Sequence, residues 1–148
     1  MIVPNAGYET ADGTLLLAIG TTGQFKRFCQ VIDRMDLLEH PDFSHNEGRV
    51  ANQAAFDATV NETLRTRGRA EWNADLTAAD VPNAPLQTLG EAVDHPQTIA
   101  SGLLQKSPDG DFRTIGMPVR FDGVRPGFRS NAPGLGEATQ EVFDFMND

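Results

Sequence analysis

The sequence predicts a small two-layer α+β domain of β-hairpins packed against helices, followed by a C-terminal linker and helix. Three observations carry that reading. Apolar and polar residues alternate on both sides of Asp12-Gly13, the pattern of a hairpin. Apolar residues then recur at helical spacing within residues 25–32 and again within 56–79. From Asp122 glycine and proline become dense, and the period returns only in a last amphipathic stretch.

Each element has a local reason. In "YETADGTLLLAIG", Tyr8 and Thr10 alternate in one strand and Leu15, Leu17 and Ile19 in the other. Asp12-Gly13 between them predicts a two-residue type I′ turn, with positive φ at both positions. Phe25, Phe28, Cys29 and Ile32 form one apolar helical stripe, with Thr22 the expected N-cap. Pro41 ends what precedes it, and Ser44 with Glu47 has capping-box spacing, with Asn46 as the other candidate cap. One long helix is expected next, carrying Phe56, Val60 and Leu64, until Gly68 interrupts it. Trp72, Leu76 and Ala79 make a second stripe, which marks Trp72 as a core residue.

Val81 precedes a proline and is pushed out of the α region, so the helix stops there and residues 81–86 cross in extended form. Thr88 and Glu91 have the spacing of a capping box, which starts a short helix, and Pro96 suits the first turn of another. Pro108-Asp109-Gly110 predicts the turn of a second hairpin, continued by "MPVRF" as a short extended piece. The final stretch places Val142, Phe145 and Met146 on one face of a helix.

The bulk numbers exclude several functions. A chain of 148 residues fits one domain, or one domain with an appendage. A net charge of −9 opposes nucleic acid, and the only clustered cations are Arg65, Arg67 and Arg69. No apolar run reaches the roughly 18 residues of a membrane helix, and "MIVPNAGYET" lacks the regions of a signal peptide, so the cytoplasm is the expected compartment. The single Cys29 leaves no internal disulfide and no thiolate metal cage; on its apolar stripe it reads as a small core residue. His40, Asp42 and His45 are close in sequence but lack the spacing of a helical metal pair, so no metal site is expected.

The segment Gly20-Thr21-Thr22-Gly23-Gln24 links a strand end to a helix start, where backbone N–H groups favour an anion or a polarised carbonyl. The same residues also read as a plain strand–helix turn.

"DGTLLLAIGTTGQFKRFC", "HPDFSHNEGRVANQAAF", "AEWNADLTAADVPNAPLQTLGEAVDHPQ", "GMPVRF" and "NAPGLGEATQEVF" follow one another in the order seen in family III CoA-transferases. The chain resembles the C-terminal part of that family, the CaiB/BaiF type, which contains formyl-CoA transferase, crotonobetainyl-CoA:carnitine CoA-transferase and α-methylacyl-CoA racemase. The resemblance implies a small α+β domain at residues 1–121 and a return segment at 122–148 leading to a large N-terminal domain outside this chain. It also implies interlocked dimers, with acyl-CoA and a carboxylic acid as partners. The CoA thioester is a substrate, so no further cofactor is expected. The nucleophilic aspartate of the family falls in the N-terminal part, so no catalytic residue is expected here and the isolated chain should be inactive. What carries over is the glycine-rich substrate loop, matched by Gly20, Thr21, Thr22, Gly23 and Gln24, with threonines at two glycine positions that should stiffen it. Asp80 stands where members have glycine, at an expected left-handed helix end. An acyl-CoA racemase of the same superfamily and a truncated, non-catalytic binding or assembly domain are the alternatives.

Overall fold

The structure is a computed structural model and describes residues 1–110 and 112–147. It divides into two compact units, Met1–Leu86 and Gln87–Asp148.

The first unit is a three-stranded antiparallel sheet covered by helices. β1 (Asn5–Glu9) pairs with β2 (Thr14–Ala18), setting Tyr8 opposite Leu15 and Ala6 opposite Leu17. Tyr8, Leu15, Leu17 and Ile19 turn to one face and are buried, because strand side chains alternate. The hairpin loop has four residues, not the expected two. Thr10 N–H donates to Gly13 O at 2.7 Å, and Asp12 has no positive φ. The Asp12 carboxylate accepts from the Thr10 hydroxyl within the loop at 3.1 Å and from Arg69 N–H at 2.7 Å. Consecutive positive φ values, 50° and 81°, occur instead at Asp122-Gly123 in the second unit, where Phe121 and Val124 bridge.

α1 (Thr22–Val31) is capped by Thr21, one residue earlier than expected. Gln24 explains the shift: Thr21 Oγ1 accepts from Gln24 N–H at 3.2 Å, and Gln24 Oε1 accepts from Gly20 and Thr21 N–H at 2.9 and 3.1 Å. A 3-10 turn at Met35–Leu38 follows.

The long helix expected next is two. α2 (Asn46–Ala51) and α3 (Gln53–Leu64) meet at Asn52, whose φ of −113° and ψ of 32° break the helix. His45, not Ser44 or Asn46, is the N-cap of α2, and it supplies no side-chain bond. Asn46 accepts from Val3 N–H at 3.1 Å and donates to Met1 O at 3.1 Å, so its amide anchors the start of the chain. Gly48 is required by close approach: a Cβ there would meet Asp42 O at 2.5 Å.

Phe56, Val60 and Leu64 of α3 are wholly buried, and Phe56 joins Phe25 and Phe43 at ring separations of 6.1 and 5.4 Å. Burying each such side chain contributes about 1.5–3 kcal/mol. α4 (Arg69–Ala78) follows Gly68 and buries Trp72 and Leu76. Asp80 then takes φ 55°, the expected left-handed end. The extended crossing becomes β3 (Asn83–Pro85), which pairs with β2 and completes the sheet in the order β1-β2-β3. Arg65, Arg67 and Arg69 form ion pairs with Glu9, with Glu71 and Asp75, and with Asp12.

The second unit begins with α5 (Leu89–Asp94), whose capping box is the predicted Thr88–Glu91 pair, and α6 (Pro96–Ser101), with proline in its first turn. β4 (Leu104–Lys106) and β5 (Arg113–Ile115) form the second hairpin, with Gly110 at φ 82° in its turn. "MPVRF" forms no strand; only Phe121 bridges, to Val124. α7 (Thr139–Asn147) leaves Val142, Phe145 and Met146 exposed. No helix among the described residues is long and apolar enough to cross a membrane.

Candidate functional site

The segment from Gly20 to Gln24 runs from the end of β2 into α1. Its first three residues, Gly20, Thr21 and Thr22, line a cavity of about 300 Å³ in the first unit. Gly23 and Gln24 lie outside the lining; Gln24 instead fixes the loop through the two N–H groups it accepts from. The opposite residues are Ser44, His45, Asn46, Glu47 and Arg49, with Ile2, Ile19 and Phe25 as the apolar part.

Arg49 governs the electrostatics. It is 6% exposed. Nε donates to Val3 O at 2.7 Å and Nη1 to Phe43 O at 2.7 Å and Ser44 O at 3.3 Å. The guanidinium carbon lies 3.9 Å from the centre of the Phe25 ring. Burial pushes its pKa down from the usual arginine range, with Cys29 and Glu47 acting the other way. Arg49 was not singled out from the sequence, because an arginine directly after Gly48 in a helix start carries no motif.

Cys29 and Tyr8 are structural. Burial pushes the Cys29 thiol up to about 12, far from a thiolate nucleophile at neutral pH. Tyr8 is raised, first by burial and then by its bond to Asp57 Oδ1 at 2.6 Å; it ties β1 to α3. His40 stacks on Phe43 with ring centres 4.1 Å apart, and His45 lines the cavity. No cluster of three His, Cys, Asp or Glu residues suited to a metal occurs among the described residues.

The end of a strand, a polar loop and the start of a helix thus border one polar cavity in the first unit. The chain belongs to CoA-transferase family III, whose sequence profile matches residues 1–139. It is 34% identical over 131 residues to an acetyl-CoA:oxalate CoA-transferase of Acetobacter aceti, covering 88% of this chain and 33% of that protein. It is 23% identical to a human succinyl-CoA:glutarate CoA-transferase, covering 95% of this chain and 33% of that one. Among solved structures, a CaiB/BaiF family protein from Brucella suis superposes with a TM-score of 0.87 at 27% identity, over 98% of this chain and 38% of the other. The chain thus spans about a third of the length of the curated relatives it matches.

Proposed function

We propose that this chain supplies the small α+β part of an enzyme that moves CoA between an acyl-CoA and a carboxylic acid, through a covalent enzyme intermediate. The observation that carries the reading is the family match over residues 1–139, in a chain whose glycine-containing loop borders a polar cavity. The named relatives, an acetyl-CoA:oxalate and a succinyl-CoA:glutarate CoA-transferase, favour transfer over racemisation. In this reading Gly20 to Gln24 meet the thioester, and the nucleophilic aspartate comes from the part of the family fold that this chain does not span. Exposed Ile115, Phe121, Val124 and Phe145 in the second unit are consistent with cover by that missing domain or by a second copy.

An acyl-exchange assay tests it in three arms: the chain alone, the chain with a separately produced N-terminal part of the family fold, and that mixture with Gly20→Val. A Cβ at Gly20 meets only Gln24 Oε1, at 3.8 Å, so folding should survive. No turnover is expected alone, turnover in the mixture, and a fall of about tenfold or more with the variant, since a small misplacement at a reacting centre is costly. Turnover by the purified chain alone, or a silent Gly20→Val, would defeat the reading.

A further inference from the structure

Aspartate is followed by glycine three times in the chain, at Asp12-Gly13, Asp109-Gly110 and Asp122-Gly123. A glycine has no Cβ to shield its own main-chain nitrogen, so that nitrogen can reach the preceding side-chain carboxyl carbon wherever both are free. The fold ties down two of the three pairs. The Asp12 carboxylate accepts from Arg69 N–H at 2.7 Å and from the Thr10 hydroxyl at 3.1 Å, and the first of these bonds holds it below the usual carboxylate range. A Cβ at Gly13 would lie 2.9 Å from the Arg69 side chain, so this glycine is walled in as well. The Asp109 carboxylate accepts from the Ser107 hydroxyl, and Gly110 N–H donates to Ser107 O at 2.9 Å. The third pair differs on every count. Asp122 is exposed, and among the described residues neither its carboxylate nor Gly123 N–H has a hydrogen-bond or ion-pair partner. A Cβ at Gly123 would meet nothing within 4 Å. Asp122 also holds a left-handed φ of 50°, a strained conformation for a residue with a side chain. Two bonds close the turn, Phe121 N–H to Val124 O at 2.8 Å and Val124 N–H to Phe121 O at 2.9 Å.

We propose that Asp122-Gly123 is a self-modification site, where the chain rearranges through a cyclic succinimide to an isoaspartyl linkage. The Gly123 nitrogen gives up its proton and bonds to Asp122 Cγ, and one carboxyl oxygen leaves as water. Water then opens the ring. Breaking the new bond returns aspartate; breaking the bond from Gly123 nitrogen to the Asp122 main-chain carbonyl carbon gives isoaspartate. One water is lost and one regained, and nothing is oxidised or reduced, so the product keeps the mass of the parent. The rearranged main chain runs through the former side chain and gains one methylene. The turn that lets Phe121 and Val124 exchange two hydrogen bonds should then open, and a main-chain carboxylate is left exposed beside it. The site does not depend on the function proposed above.

The test ages the full chain at neutral pH in water enriched in oxygen-18, then digests it with trypsin in ordinary water. Each passage through the ring leaves one oxygen-18 in the peptide concerned. The three pairs fall in three peptides: Met1–Lys26, Ser107–Arg113 and Phe121–Arg129, the last with Asp122 as its one acidic side chain. In the folded chain Phe121–Arg129 should take up label about tenfold faster than the other two, since each of those must first break two hydrogen bonds. It should also split into two chromatographic species of equal mass, aspartyl and isoaspartyl. In urea, where the fold is gone, the three peptides should label at similar rates. Asp122→Asn should close the ring faster still, because ammonia leaves a carboxamide more readily than water leaves a carboxylate. Folded-state labelling of Phe121–Arg129 that is no faster than that of the other two peptides overturns the site. So does an Asp122→Asn chain that resists deamidation while folded, which would show that the turn holds the reacting atoms apart.

Discussion

At the scale of single residues, Trp72 shows how a core position gains a second constraint. Its stripe with Leu76 marks it as buried, and it is 3% exposed. The packing adds what spacing does not carry. Nε1 donates to Leu64 O at 2.8 Å, closing a carbonyl at the end of α3, and the Arg67 guanidinium lies 4.4 Å above the ring. Trp72→Ala should therefore destabilise the chain by about 3–5 kcal/mol in chemical denaturation. Trp72→Phe keeps most of the bulk, so its cost should stay near the roughly 1 kcal/mol of a lost hydrogen bond plus a small cavity. An alanine variant within about 1 kcal/mol of the parent would place the ring outside the core.

At the scale of elements, the corner from α4 to β3 is the most informative. Asp80 holds φ 55°, which costs a non-glycine residue about 1–2 kcal/mol relative to glycine, less for aspartate. Two compensations run through Arg27. Its Nε donates to Ala79 O and its Nη2 to Asp80 O, each at 2.8 Å, and Nη2 also lies 3.2 Å from the Asp80 carboxylate. The backbone bonds survive replacement of the side chain, and the carboxylate is 97% exposed, so the ion pair contributes little. Asp80→Gly should raise stability by about 0.5–1 kcal/mol in a denaturant melt. A loss of stability would show that the exposed pair outweighs the backbone strain. The prolines then serve direction: Ala18 N–H donates to Pro82 O at 3.1 Å, and Leu86 N–H to Thr14 O at 2.9 Å, on either side of the β2–β3 ladder.

At the scale of the molecule, the core belongs to the first unit. Every buried hydrophobic residue among those described falls between Val3 and Val81. The second unit exposes Ile99, Ile115, Phe121, Val124, Leu135 and Phe145, and its hairpin is held by smaller contacts, such as Phe112 against Phe128 at 6.0 Å. A chain ending at Leu86 should fold alone and melt in one cooperative transition, within a few degrees of the transition of the same region in the full chain. Loss of cooperativity on truncation would mean that residues 87–148 complete the core. The residues beyond Leu86 should bind a hydrophobic dye in the full chain, and that signal should vanish on truncation.

Local chemistry determined the punctuation of this chain. The helix stop before Pro82, the capping box at Thr88 and Glu91 and the turn at Gly110 all depend on residues within a few positions of one another, so the sequence alone carried them, whereas the left-handed Asp80 was implied by the family resemblance. The apolar stripes at Phe25, Phe56 and Trp72 were legible for the same reason. Where side chains had two possible partners, only tertiary structure chose. Asp12 accepts from the Thr10 hydroxyl inside its own loop and also from the N–H of Arg69, fifty-seven residues away, and Asn46 left its helix cap for the N-terminal segment. The cavity is the extreme case. Gly20 to Thr22 were visible as a strand–helix turn, but Arg49 reaches their side of the cavity through carbonyls of Val3, Phe43 and Ser44. No spacing in the chain encodes that meeting, because it brings the carbonyl of Val3, 46 residues away, and those of neighbouring Phe43 and Ser44 around one guanidinium.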